Sequence, residues 1–220
     1  MAAVFVDLAQ ACAPMVQVET LASVVSLESR FQPFAIRINS GSPLAAQPTT
    51  KAEAIEVATS LISDHQDIQL GLGGIGVEEL RKLKLSVSDA FDPCLNLKAT
   101  ATLLDGYYRL AVRVGADTAQ AEKVMLQSYY GRDDPSVGAM VKYDEQVRRE
   151  GKRLSAKLAL LTIAEPHDQA ASADQPPDQV AQPLPRQISQ TEEAASWDVF
   201  NSRRRSSILI FQNDRSEQSE

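Results

Sequence analysis

An aspartate followed directly by a proline opens the longest helical stretch of the chain, DPCLNLKATATLLDGYYRLAV, with Asp92 and Pro93 at its head. Proline fits the first helical position because its φ is preset and it has no N–H to leave unpaired, and an aspartate before it can accept from exposed backbone N–H groups. The pattern predicts a long, central helix. The rest of the domain follows the same period. VQVETLASVVSLESR places Val18, Leu21, Val25 and Glu28 near one another on a helix surface, and Pro33 stops the run. Glu28 therefore falls in a last turn, on or beside the buried face. TTKAEAIEVATSLISDH opens with a capping box, Thr50 with Glu53, and continues with Ile55, Ala58, Leu61 and Ile62 as an apolar stripe. Asp117 can cap a helix over TAQAEKVMLQSYY, and a last one covers SVGAMVKYDEQVRREGKRLSAKLALL, its limits blurred by Gly138 and Gly151. Strands are at most short, over AIRIN and DIQLGL. The fold class is mainly α.

With 44% hydrophobic residues the 220-residue chain can fill a core. The composition breaks after Ile163, where EPHDQAASADQPPDQVAQPLPRQ brings Pro166, Pro176, Pro177, Pro183 and Pro185 close together. This predicts a folded domain over 1–164, a disordered Pro/Gln-rich linker over 165–195, and a tail over 196–220. The tail carries two apolar islands, SWDVF and SSILIF, separated by Arg203, Arg204 and Arg205. A net charge of -7 argues against a nucleic-acid partner, which needs clustered Lys and Arg. No apolar run reaches the roughly 18 to 20 residues of a membrane span. The start, MAAVFVDLAQACAP, has no basic residue before Arg30 and carries Asp7 within its apolar stretch, so it is a poor export signal. Cys12, Cys94, His65 and His167 are too few for a structural zinc site, and no metal is expected. The two cysteines fit either a disulfide in an oxidising compartment or buried thiols in the cytosol.

QLGLGGIGVEEL contains Gly71, Gly73 and Gly76 and so spells the glycine pattern of a dinucleotide-binding turn. Such a site needs a strand before it, a helix after it and a second strand ending in an acidic residue. Here only DIQL precedes, and VEELRKL gives way to SVSDAFDPC, a turn and a capped helix start. No Lys-Ser/Thr follows the glycines, which also excludes a P-loop. No cofactor is expected, and the glycines are those of a tight turn that needs positive φ or close backbone approach.

Glu28 lies amid Val24, Val25, Leu27 and Phe31, surroundings that raise a carboxyl pKa by desolvation, although pattern alone equally fits an exposed helix-end glutamate. The text around it adds more. SLESRFQPFAIRINSG resembles the first motif of the goose-type-lysozyme-like lytic transglycosylases, where a Glu-Ser pair ends a helix and an aromatic, a proline and Ala-Ile follow. DIQLGLGGIGVEEL occupies the place of that family's second motif, and SDAFDPCLNLKATATLLDGYY is similar to its Phe-Asp-Pro-Cys-x-Asn-Leu segment. QSYYGR stands at the tyrosine-containing third motif, and KYDEQV at the closing Tyr-x-x-x-Val. The resemblance runs over about residues 8 to 150 and is greatest to the small transglycosylases of type IV secretion and conjugation systems; an ordered set of motifs is more specific than any one of them.

The resemblance implies an α+β lysozyme-like fold with a short β-hairpin region, a periplasmic location and action on the glycan strands of cell-wall peptidoglycan. It makes Glu28 the acid that protonates the bond between N-acetylmuramic acid and N-acetylglucosamine. The same carboxylate then takes the proton of the muramoyl 6-hydroxyl, closing a 1,6-anhydro ring without the second carboxylate of ordinary glycosidases. It gives Ser29 a supporting hydrogen bond near the glutamate, and Tyr129 and Tyr143 the task of orienting the acid or lining the cleft. It places Gly71, Leu72, Gly74 and Ile75 at the floor of the sugar site and pairs Cys12 with Cys94. It also suggests contacts between the tail and other secretion-channel components. From the residues alone Tyr129 and Tyr130 read as core aromatics with a satisfied hydroxyl, the commoner fate of a helix tyrosine, and Asn96 is a helix-start hydrogen bonder rather than a ligand. The second motif departs from the family: Gly74 stands for a glutamine and Gly76 for an asparagine. In the third, Arg132, Asp133 and Asp134 follow Gly131. A non-catalytic peptidoglycan-binding scaffold of the same system is the alternative, and a cytoplasmic helical adaptor a third.

Overall fold

The computed structural model describes residues 2–164. The linker over 165–195 and the two apolar islands of 196–220 lie outside the described residues. Strand β1 (Ala2–Val4) runs into α1 (Phe5–Cys12), followed by α2 (Val18–Ser29), β2 (Ile36–Ile38) and α3 (Lys51–Ser63). Then come β3 (Ile68–Leu70), β4 (Ile75–Gly76), α4 (Val77–Lys82), α5 (Val87–Ala90) and α6 (Pro93–Arg113). The domain continues with α7 (Thr118–Gly131), α8 (Pro135–Met140), α9 (Tyr143–Leu154), a 3-10 turn (Ser155–Leu160) and β5 (Thr162–Ala164). The fold is mainly helical, with small antiparallel sheets: β1 with β5, and β2-β3-β4 in that order.

α6 forms as its first residues dictate. Asp92 accepts from Leu95 N at 2.9 Å, Pro93 fills the first turn, and 21 residues give a rod of about 32 Å. α1, α2, α5 and α7 pack on it. Asp117 caps α7 by accepting from Gln120 N at 2.9 Å. At α3, Thr50 accepts from Glu53 N, while the Glu53 carboxylate reaches back to Thr49 N. A complete capping box, Ser86 with Asp89, starts α5.

The span expected to form one last helix is instead two helices, α8 and α9, followed by the 3-10 turn over Ser155–Leu160. Gly138 lies inside α8 and Gly151 inside α9, so neither glycine ends a helix; the break falls on Lys142, whose φ of 54° is left-handed. That break makes Tyr143 the first residue of α9.

Apolar side chains gather in three clusters. One joins Phe5, Leu21, Val25, Leu72 and Leu97 beneath α1, α2 and α6. Another joins Ile36, Ile68, Leu70, Ile75 and Phe91 around the β2-β3-β4 sheet. The third joins Val24, Leu104, Met125, Tyr129, Tyr143 and Val147. Cys12 and Cys94 are disulfide-bonded, which ties the end of α1 to the first turn of α6 across 82 residues of sequence. Among the described residues no helix is long and apolar enough to cross a membrane.

Candidate functional site

α2, whose Leu21 and Val25 belong to one cluster and Val24 to another, carries Glu28 in its last turn. Leu21, Val24 and Val25 are fully buried, and Glu28 continues their face by one turn. The helix then stops because Arg30 and Phe31 adopt left-handed φ values of 55° and 64° and turn the chain away. The Glu28 side chain is 3% exposed. Tyr143 OH donates to its Oε1 at 2.6 Å, and Arg37 Nη2 donates to its Oε2 at 2.6 Å. Burial pushes the carboxyl pKa up, and the Arg37 charge and the Tyr143 hydrogen bond pull against it; the net direction is upward.

Beneath the carboxylate lies the glycine turn between β3 and β4. Asn96 clamps it to α6: its amide donates to the carbonyls of Leu70 and Ala90, and its Oδ1 accepts from Gly73 N at 2.8 Å. Tyr129 OH donates to Gly73 O at 2.6 Å. Gly71 N reaches Ala35 O at 2.9 Å, fixing the turn to the segment before β2. Gly74 has a φ of 64°, and a Cβ there would stand 2.9 Å from Glu28 Oε2. At Gly76 a Cβ would collide with the Glu79 carboxylate, whose buried Oε2 has no partner among the described residues. Leu72 and Ile75, expected at the floor of the sugar site, are fully buried and point into the cores below it.

Glu28 borders a groove of about 440 Å³ lined also by Leu27, Ser29, Arg37, Pro43 and Gln47. A second groove, of about 410 Å³, runs past Arg37, Asn39, Asp67, Gln69, Tyr130 and Arg132. Arg37 and Ile38 line both, so β2 forms a shared rim. Another groove, among Met15, Ser23, Asp105, Tyr108 and Arg148, contains none of the site residues.

The expected site residues divide by task. Tyr143, 2% exposed, holds the glutamate, and its ring packs against Tyr130 with centroids 5.0 Å apart. Tyr129 is buried and supports the turn rather than bonding the acid. Burial and the nearby Glu28 charge push the ionisation of both tyrosines upward, so they remain donors. Ser29 lines the groove, but its hydroxyl donates to Val25 O of its own helix at 3.1 Å instead of turning to Glu28. The charged loop after Gly131 is tied down, with Arg132 on Asp67 and Asp133 on Lys82 and Tyr107, each at 2.7 Å. Sequence reasoning missed Arg37 and Gln69. They face each other across β2 and β3, and the Arg37 guanidinium bonds both Gln69 Oε1 and Glu28. The only signal was the strand text itself: pairing AIRIN with DIQLGL in this register sets the two opposite.

Fold and site define a mainly helical, disulfide-linked domain with one buried, doubly hydrogen-bonded glutamate over a glycine turn at an open groove. Over this domain the chain is a homologue of the virB1 proteins. It is 37% identical over 127 residues to the type IV secretion system protein virB1 of Brucella suis biovar 1 (strain 1330), covering 57% of this chain and 53% of that protein. It is 30% identical over 154 residues to protein virB1 of Agrobacterium fabrum (strain C58 / ATCC 33970), covering 68% and 60%. Against protein virB1 of Rhizobium radiobacter the figures are 31% over 124 residues, 56% and 49%. The chain spans about half the length of the first of these relatives. No protein-family profile and no solved structure matches it.

Proposed function

We propose that the domain is a peptidoglycan lytic transglycosylase that opens the cell wall locally for a type IV secretion or conjugation channel. Glu28 is the acid, the glycan strand lies in the groove along β2, and no resident cofactor is needed. The protonated carboxyl gives its proton to the glycosidic oxygen as the C1–O bond breaks. The carboxylate then takes the proton of the muramoyl 6-hydroxyl as O6 bonds to C1, so the proton balance closes on one residue. A single buried carboxyl that is held in place and still borders an open groove carries this reading. Burial that raises its pKa suits an acid working near neutral pH. The ordered motif resemblance and the virB1 relatives support it independently.

On this reading the chain works in the periplasm, and its tail beyond about residue 185 docks on channel components through its two apolar islands, SWDVF and the β-prone, uncharged SSILIF. Truncation at residue 185 should then weaken assembly into the channel; unchanged assembly removes the docking role. The catalytic test is digestion of purified murein sacculi by wild type and Glu28→Gln, with mass analysis of the products. Wild type should release 1,6-anhydromuropeptides and Glu28→Gln should not. Wild type that binds sacculi but releases no anhydro product makes the protein a peptidoglycan-binding scaffold instead.

A further inference from the structure

A glutamate can donate a proton only from an oxygen that carries one. In this site both oxygens of Glu28 accept, one from Tyr143 and one from Arg37, which is the bonding of an ionised carboxylate. The two donors differ in freedom. Tyr143 is buried and packed on Tyr130, whereas the Arg37 side chain is 41% exposed on the edge strand β2, at the rim shared by the two grooves. Arg37 also has a second anchor, because its Nε and Nη2 donate to Gln69 Oε1 on the neighbouring strand. Its Nη1 has no hydrogen-bond partner among the described residues and stands available to a ligand in the groove. The guanidinium can therefore release Glu28 without losing its place in the sheet.

We propose that Arg37 is a positioning residue that keeps Glu28 an occupied carboxylate while the groove is empty, and that donation from Oε2 requires the guanidinium to leave that oxygen. Its consequence for catalysis rests on the transglycosylase reading; its effect on Glu28 does not. Once the guanidinium has moved, burial still opposes the charge while the neighbouring cation no longer supports it, so the carboxylate takes a proton from solvent. The groups facing Glu28 are Arg37 from β2, Tyr143 from α9 and Tyr129 from α7, and the glycine turn adds no charge. With both tyrosines neutral, Arg37 is the cation that sets the balance. Gly74 keeps the underside of Oε2 clear, so the oxygen is hemmed by Arg37 rather than by a side chain from the turn.

The test is a pH titration of Glu28 in the full chain with ¹³C-carboxyl-labelled glutamate, using Glu28→Gln to assign the signal. Arg37→Gln should titrate at higher pH than wild type, and Arg37→Lys, which restores the charge, should return toward wild type. An Arg37→Gln titration at or below the wild-type value overturns the proposal. On sacculi, the alkaline limb of anhydro-product release should move to higher pH in Arg37→Gln, and Arg37→Lys should bring it back. A limb that stays in place while Glu28 titrates higher overturns the link to proton donation. Wild type inert on sacculi with the titration shift present sinks the transglycosylase reading and leaves the hold of Arg37 on Glu28 standing.

Discussion

Replacing Gly74 by alanine probes the site through a single methyl group. Two costs combine there. The φ of 64° is left-handed, which costs a residue with a Cβ about 1 to 2 kcal/mol. The methyl would also stand 2.9 Å from Glu28 Oε2 and 3.2 Å from Glu28 Cβ, closer than carbon contacts settle, and such overpacking costs about 1 to 3 kcal/mol more. Gly115 supplies the control, because its φ of 97° is also positive while nothing lies within 4 Å of an added Cβ. Urea unfolding should therefore show Gly115→Ala losing about 1 to 2 kcal/mol and Gly74→Ala about 2 to 5 kcal/mol. The activities should separate further. The added methyl pushes on the carboxyl itself, and misplacement by about 1 Å can cost a hundredfold, so Gly74→Ala should release anhydro product about 10 to 100 times more slowly. Gly115→Ala should keep the wild-type rate below its unfolding midpoint. The reasoning fails if Gly74→Ala is no less stable than Gly115→Ala and cleaves sacculi at the wild-type rate.

Tyr143→Phe removes a donor to an ionised oxygen, worth about 1.5 to 3 kcal/mol, and should slow product release about 10- to 100-fold while Glu28 titrates at higher pH. Tyr129→Phe leaves the buried Gly73 carbonyl without that donor and should cost about 1 to 3 kcal/mol in urea unfolding, with a smaller loss of rate than Tyr143→Phe. Exchanging Cys12 and Cys94 for serine opens a loop of 82 residues and should cost about 4.5 kcal/mol, read as a lower urea midpoint that thiol-reduced wild type reproduces. The pKa of Glu28 is raised on folding, so its contribution to stability is full below the ordinary glutamate range and is lost as pH rises through the folded value. The unfolding midpoint of Glu28→Gln should accordingly gain on wild type as pH increases from 4 to 8; a constant difference would refute the buried acid.

The helices were legible because their signals are local. Asp92-Pro93 and Asp117 act on backbone groups within three residues, and Leu21 and Val25 give the buried face of α2 by spacing alone. Glu28 could be placed in the last turn for the same reason. The break at Lys142 was not legible: it rests on a left-handed lysine that the sequence does not mark, whereas the visible glycines, Gly138 and Gly151, sit inside helices. The partners of Glu28 were hidden in another way. Tyr143 is 115 residues away in sequence, and Arg37 acts only because β2 pairs with β3 and points it at the end of α2. The family resemblance supplied Tyr143. Arg37 lies within the first-motif text SLESRFQPFAIRINSG, but the resemblance gives it no task, and only the folded sheet shows it bonding Glu28.

The two glycines that stand where the resembled motif carries a glutamine and an asparagine have different neighbours, and neither leaves a void. At Gly74 the space above the backbone belongs to Glu28, and a longer side chain built on that φ would drive into the Glu28 carboxyl. At Gly76 the space belongs to Glu79 from α4, a carboxylate whose buried oxygen would meet any Cβ. The turn is held from outside instead, by Asn96 on the carbonyls of Leu70 and Ala90 and on Gly73 N, and by Tyr129 on Gly73 O. Arg37 and Gln69 then supply polar groups beside Glu28 from the sheet rather than from the turn. Glu28 is thus bonded by Arg37 from the sheet and Tyr143 from α9, and by no side chain of the turn. A side chain introduced at either glycine alone would meet a carboxylate, that of Glu28 at Gly74 and that of Glu79 at Gly76, so each position needs its neighbour to move before it can carry a Cβ.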